Sequence, residues 1–197
     1  MFTDWLRKTF RGILEPTARF LAKTGIGPNT LTILGCLFNI GVGVIIATGH
    51  LRLGGVCLIC ASAFDAFDGT LARQLGKASK FGAFLDSVLD RFSESALLLG
   101  IAWWYMTQPG ITEEILAYFA IVGSILVSYT RARAEGLGVE CKIGLFTRVE
   151  RCLVLIVALI FNLVPQALWV LAIGSFFTAF QRIFYVYRHT KGALLQE

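Results

Sequence analysis

Charged side chains are scarce in this sequence: Asp, Glu, Lys and Arg make up 16% of 197 residues, against 56% hydrophobic residues and a mean hydropathy of +0.69. An ordinary soluble domain carries about 25% charged residues, so that class is excluded and an all-α integral membrane protein is expected. Histidine is limited to His50 and His189, neither near the acidic cluster described below, which argues against a zinc site. No internal repeat, low-complexity tract or appended soluble domain is visible. Residues 1–27 lack the marks of a signal peptide, because basic residues interrupt their apolar positions and no small-residue cleavage site follows. The cysteines at 36, 57, 60, 141 and 152 form no disulfide framework. Four fall in expected spans or their cytoplasmic ends, and Cys141 falls in a cytoplasmic loop. Cys57 and Cys60 read as small apolar side chains on a membrane helix rather than a redox pair.

What the chain has in abundance is apolar runs. Stretches near 29–49, 51–72, 81–106, 113–131, 150–169 and 167–187 approach or exceed the roughly 20 residues that a spanning helix needs. Six transmembrane helices are expected, with Asn162 and Pro165 marking the turn between a fifth ending near 163 and a sixth starting near 166. Lys and Arg collect in alternate connections: Arg73, Lys77 and Lys80, then Arg131, Arg133, Lys142, Arg148 and Arg151, then Arg182, Arg188 and Lys191. By the positive-inside rule both termini and these connections face the cytoplasm, and only Arg52 clearly falls opposite. The net charge of +5 is better explained this way than by nucleic-acid binding. Phe2, Trp5, Leu6, Phe10, Ile13, Leu14, Phe20 and Leu21 recur at helical spacing, so an amphipathic interfacial helix is expected to precede the spans. The expected organisation is a juxtamembrane segment at 1–27, a six-helix catalytic domain at 28–190 and a cytoplasmic tail at 191–197.

Two acidic pairs, Asp65/Asp68 and Asp86/Asp90, interrupt this apolar background. Spacings of three and four keep each pair on one helix face. If the two helices form a hairpin, Asp68 and Asp86 are each nine residues from position 77 and meet at matching depth. Ionised carboxylates at membrane depth need compensation. Divalent cations supply it, since carboxylates are hard oxygen donors suited to Mg2+ or Mn2+. The same acids could instead pair with Arg73 and Arg91 or line a proton or cation path. Gly69, Ala72 and Gly82 leave room for a flat base or a phosphate chain near the backbone, and Arg73 offers planar donors to phosphate; small residues also serve helix packing.

The full string, Asp65-x2-Asp68-Gly69-x2-Ala72-Arg73-x8-Gly82-x3-Asp86-x3-Asp90, resembles the signature of the CDP-alcohol phosphatidyltransferase family at all eight positions. The resemblance implies transfer of a phosphatidyl group from a CDP-linked lipid to an alcohol, with release of CMP and two metal ions at the cytoplasmic membrane boundary. It implies that Asp65, Asp68 and Asp86 are metal ligands, and that Asp90 is the base that takes the acceptor's hydroxyl proton and also touches a metal. Asp68, Gly69, Ala72, Arg73 and Gly82 match nucleotide-contacting positions. Pro28-Asn29-x-Leu31-Thr32 resembles the family's cytidine-side element, although Pro-Asn-Thr before a helix also serves as a cap.

Ser128-Tyr129-Thr130-Arg131-Ala132-Arg133-Ala134-Glu135, Arg148-Val149-Glu150-Arg151 and Arg182 gather guanidinium groups at the cytoplasmic ends of the last three helices. Such a set suits a phosphate monoester better than a zwitterion such as serine, and positive-inside topology alone also accounts for each arginine. Together with Phe81-Gly82-Ala83-Phe84-Leu85-Asp86, the segment at 128–135 is similar to the phosphatidylinositol-phosphate synthase branch. The resemblance implies CDP-diacylglycerol as donor, inositol 1-phosphate as acceptor, Arg131, Arg151 and Arg182 as binding the acceptor phosphate, and a homodimer; Arg133 of the same basic segment joins them as a candidate for that phosphate. Position 131 is Arg where the branch usually has Lys, and the proline often found before the Glu150-Arg151 pair is missing. Glycerol 3-phosphate or another polyol phosphate therefore stays open as acceptor.

Overall fold

The computed structural model describes residues 27–74 and 79–193, with side chains described for 27–63 and 79–191. The expected amphipathic helix at the N-terminus lies outside the described residues. Among the described residues the structure is all helical: α1 (Pro28–Ala47), α2 (Leu51–Gln74), α3 (Lys80–Tyr105), α4 (Thr112–Gly136), α5 (Arg148–Phe161) and α6 (Val164–Ala193). Three stretches, Pro28–Ala47, Thr112–Gly136 and Val164–Lys191, are long and apolar enough to cross a membrane, and Leu51–Ala63 is a shorter apolar stretch.

Local chemistry sets the helix ends. Pro28 occupies the first turn of α1 after an extended Gly27, where its missing N–H and fixed φ suit the helix start. Gly49, at φ +84, takes the left-handed conformation that turns the chain from α1 into α2. Glu113 and Glu114 lie in the first turn of α4, complementing the positive end of its dipole. Asn162 closes α5 at φ 59 and ψ 40, and Pro165 follows in the first turn of α6. The expected turn is thus present, and α5 is a 14-residue helix because the left-handed Asn162 ends it. With 30 residues, α6 is about 45 Å long. It runs on through Arg188 and Lys191, which lie over the Phe184 and Tyr187 rings.

Two compact units divide at Gly100/Ile101. In the first, Leu31, Val42 and Ile46 of α1 are buried with Leu58 and Ala61 of α2 and Leu97 and Leu98 of α3. Backbones come into contact there. A Cβ on Gly43 would lie 2.6 Å from the Ala96 carbonyl oxygen, and one on Gly100 would meet the Gly43 carbonyl, so α1 and α3 cross on paired glycines in the manner of membrane helices. In the second unit, Ala117, Ala120 and Val127 of α4, Leu155 and Leu159 of α5, and Leu168, Leu171 and Ala179 of α6 are buried. There Gly123 admits Ser175 of α6, whose Cβ would lie 2.8 Å from a Cβ built on the glycine.

Candidate active site

The acidic residues belong to the first unit. Asp65 and Asp68 are one turn apart on α2, with Gly69, Ala72 and Arg73 following on the same helix; the side chains at 64–74 lie outside those described. Asp86 and Asp90 are one turn apart on α3, and both are half-buried. The Asp90 carboxylate is 3.6 Å from the Arg91 guanidinium, which also donates to the Ser87 carbonyl at 2.5 Å. Arg91 is thereby held along its own helix next to Asp90. Among the described residues no group of three His, Cys, Asp or Glu side chains converges, and of the expected quartet the described side chains are Asp86 and Asp90. Their chemistry fits a hard divalent cation: two carboxylates on one helix face, partly shielded from water.

The nucleotide-side residues meet across two helices. Gly82 sits one turn before Asp86, and a Cβ there would lie 3.0 Å from Asn29 Oδ1 and 3.1 Å from Ser79 Oγ. The Gly82 N–H donates to Ser79 Oγ at 2.9 Å. Asn29 therefore lies inside α1, not at its cap, and places its amide beside the glycine of the signature. Thr32, one turn further on, donates to the Pro28 carbonyl at 3.0 Å, so the capping alternative for Pro28-Asn29-Thr32 does not describe this helix start. The N-cap is Gly27, which has no side chain.

The basic residues form a second constellation, within the second unit. Arg151 and Arg182 are 2% and 4% exposed, a rare depth for a charge unless its donors are satisfied. Arg182 Nε donates to the Ile143 carbonyl at 2.8 Å, and its Nη1 donates to the Val127 carbonyl of α4. Arg151 Nη1 donates to the Phe146 carbonyl at 3.0 Å. Arg131 and Arg151 both lie within electrostatic reach of Arg182, as does Glu135. Arg131 itself is exposed and paired with Glu135, Nε to Oε1, at 2.8 Å. Arg133 is exposed one residue pair further along α4. The structure thus gathers Arg131, Arg151 and Arg182 in one region with more positive than negative charge. Nearby, the exposed Glu140 and Lys142 neutralise each other: a hydrogen bond and the opposite charge hold Glu140 below the usual carboxylate range and Lys142 above the usual ammonium range.

Two residues that shape this region, Gly174 and Thr178, carry no signal in a motif search. Gly174, Thr178 and Arg182 follow one another at spacing four on α6 and share one face. The Thr178 hydroxyl accepts from the Phe146 N–H at 3.1 Å and donates to the Gly174 carbonyl at 2.9 Å. Gly174 leaves space for the Phe146 ring, whose Cδ1 would lie 2.9 Å from an added Cβ. At the start of α5, the Glu150 carboxylate accepts from the Thr147 N–H at 2.9 Å and from the Thr147 hydroxyl. This fixes the turn that leads into Arg151.

Known proteins share this sequence pattern and this fold. A phosphatidylinositol phosphate synthase of Mycobacteroides abscessus is 35% identical over 95% of this chain and 89% of its own. An archaetidylinositol phosphate synthase of Pyrococcus horikoshii is 37% identical over 91% of this chain and 93% of its own. The crystal structure of Mycobacterium tuberculosis phosphatidylinositol phosphate synthase with CDP-DAG bound superposes with a TM-score of 0.84, at 30% identity, over 89% of this chain and 94% of that one. The same enzyme in complex with manganese and citrate gives a TM-score of 0.83, covering 88% of each chain. The family model for CDP-alcohol phosphatidyltransferase matches residues 26–181, a span that contains the acidic signature, Arg131 and Arg151 and ends one residue before Arg182. This chain belongs to the CDP-alcohol phosphatidyltransferase family.

Proposed function

We propose that this enzyme transfers a phosphatidyl group from CDP-diacylglycerol to inositol 1-phosphate, giving phosphatidylinositol phosphate and CMP. The observation that carries the acceptor is the gathering of Arg131 and Arg151 around a buried Arg182. A dianionic monoester offsets that excess charge through directed, charge-assisted hydrogen bonds. The relatives named for inositol phosphate products support the same acceptor. Arg133, exposed on α4, adds positive potential at the approach.

Asp65, Asp68, Asp86 and Asp90 hold two divalent cations in this reading, Mg2+ or Mn2+, which when bound neutralise the diphosphate and stabilise the departing CMP. The manganese in the M. tuberculosis structure supports a divalent ion. Asp90, half-buried and one turn beyond Asp86, takes the proton of the acceptor hydroxyl. Gly82 and Asn29 on one side, with Asp68, Gly69, Ala72 and Arg73 of α2, form the nucleotide face; Pro28 and Thr32 fix the helix start from which Asn29 projects.

All six helices serve as transmembrane spans, preceded by the interfacial segment 1–27 and followed by a short tail at 191–197, with residues 28–190 as one catalytic domain in a homodimer. Exposed apolar side chains support the membrane setting. Ile173, Phe177, Phe180 and Phe184 make a stripe along α6, each more than half exposed, which suits lipid contact and would be a liability in water. The basic connections assign the active site and both termini to the cytoplasmic face.

Purified enzyme supplied with CDP-diacylglycerol and single acceptors tests the reading. Turnover is expected with inositol 1-phosphate and not with serine. Turnover with glycerol 3-phosphate but not inositol 1-phosphate would assign the chain to the phosphatidylglycerophosphate-forming alternative.

A further inference from the structure

Between α4 and α5, residues 143–146 present their polar backbone groups in a set order. The Ile143 carbonyl accepts from Arg182 Nε at 2.8 Å, the Phe146 carbonyl accepts from Arg151 Nη1 at 3.0 Å, and the Phe146 N–H donates to Thr178 Oγ1 at 3.1 Å. Thr178 is fully buried, and its own proton goes to the Gly174 carbonyl. Gly144 sits in the middle at φ +146, where a Cβ would lie 2.9 Å from Arg182 Nη2 and 3.1 Å from Thr178 Cγ2. Any side chain there is strained by its backbone and pushes on the guanidinium. One buried hydroxyl therefore ties the segment to α6, and the segment orients two arginines on different helices.

We propose that Thr178, with Gly144, is a positioning residue for acceptor affinity: it pins the 143–146 backbone, whose Ile143 and Phe146 carbonyls accept from Arg182 and Arg151, and so fixes the orientation of both guanidinium groups. This rests on the acceptor-phosphate reading of those arginines. Long guanidinium side chains lose much rotamer freedom on binding an anion, and carbonyls that already hold N–H groups of both lower that cost. The Thr178 hydroxyl's contacts, with the Phe146 N–H and the Gly174 carbonyl, lie in the second unit with the arginines, so its effect is expected on acceptor binding.

The test uses the full-length enzyme in CDP-diacylglycerol vesicles, with Thr178→Val, Thr178→Ser and Gly144→Ala. Thr178→Val is expected to raise the KM for inositol 1-phosphate and the inhibition constant of inorganic phosphate each by roughly tenfold, with kcat and the KM for CDP-diacylglycerol within about twofold of the parent. Thr178→Ser is expected to restore both. Unchanged acceptor KM and phosphate inhibition in Thr178→Val overturn the proposal, as does an equal change for both substrates without rescue by Ser. If Thr178→Val does not fold, Gly144→Ala carries the same expectation, and an unchanged acceptor KM there overturns it. Arg182→Gln separates the two levels. If it leaves acceptor KM and phosphate inhibition untouched, the acceptor reading itself falls; if it raises both while Thr178→Val does not, only the positioning role falls.

Discussion

Arg182 on α6 donates through Nε to the carbonyl of Ile143, a residue 39 positions earlier in the chain, at 2.8 Å. Its Nη1 holds the carbonyl of Val127, 55 positions away. One guanidinium thus links α4, the following connection and α6. A lysine has a single nitrogen and cannot span both carbonyls in the plane that the guanidinium fork provides. Arg182→Lys is therefore expected to destabilise the protein in detergent by about 1–3 kcal/mol for an unsatisfied buried carbonyl, read as a lower unfolding midpoint, and to raise the KM for the acceptor phosphate. Thermal unfolding read beside acceptor titration checks both.

Gly82 and Asn29 make a prediction on the nucleotide side. Because a Cβ at 82 would lie 3.0 Å from Asn29 Oδ1, Gly82→Ala displaces the Asn29 amide. The expected result is a raised KM for CDP-diacylglycerol with little change in the KM for inositol 1-phosphate, read from titrations of each substrate.

The α5 start is a third point. Glu150 accepts from the Thr147 N–H at 2.9 Å, so Glu150→Ala leaves that donor bare and loosens the turn before Arg151. A loss of about 1 kcal/mol of stability is expected, measurable as a lower thermal midpoint, together with weaker competitive inhibition by inorganic phosphate.

Gly43 and Gly100 set the α1 and α3 crossing. A methyl group at Gly100 meets the Gly43 carbonyl, and neither backbone can yield without moving its helix. Gly100→Ala is expected to destabilise by about 1–3 kcal/mol, whereas Ala at Gly41, which has open space around it, leaves the thermal midpoint close to that of the parent.

Much of the fold was legible because membrane helices write themselves in long apolar runs. All six helices fall where the runs lie, and Asn162 with Pro165 marks the fifth-to-sixth turn. The extent of α6 was not legible: its apolar run ends near 187 and the tail is expected from Lys191, yet Arg188 over Phe184 and Lys191 over Tyr187 are spacing-four contacts along a helix that continues to Ala193. On the site, Asn29 and Gly82 were both named from their motifs, but their contact crosses two helices. Thr178 was missed altogether. Its role is written in contacts 32 residues apart, and a threonine in an apolar helix looks locally like any residue that bonds its own preceding turn.

The central claim is that carboxylates on α2 and α3 drive metal-dependent transfer from a CDP-linked lipid, with Asp90 as the base. It is tested most directly by CMP release from purified full-length enzyme in vesicles containing CDP-diacylglycerol, with inositol 1-phosphate supplied. Release is expected to require a divalent cation, to stop on chelation, and to fall at least roughly a hundredfold in Asp90→Asn, a variant expected to retain CDP-diacylglycerol binding. Wild-type rates of CMP release from Asp90→Asn, or from the parent enzyme with chelator in excess, would contradict it.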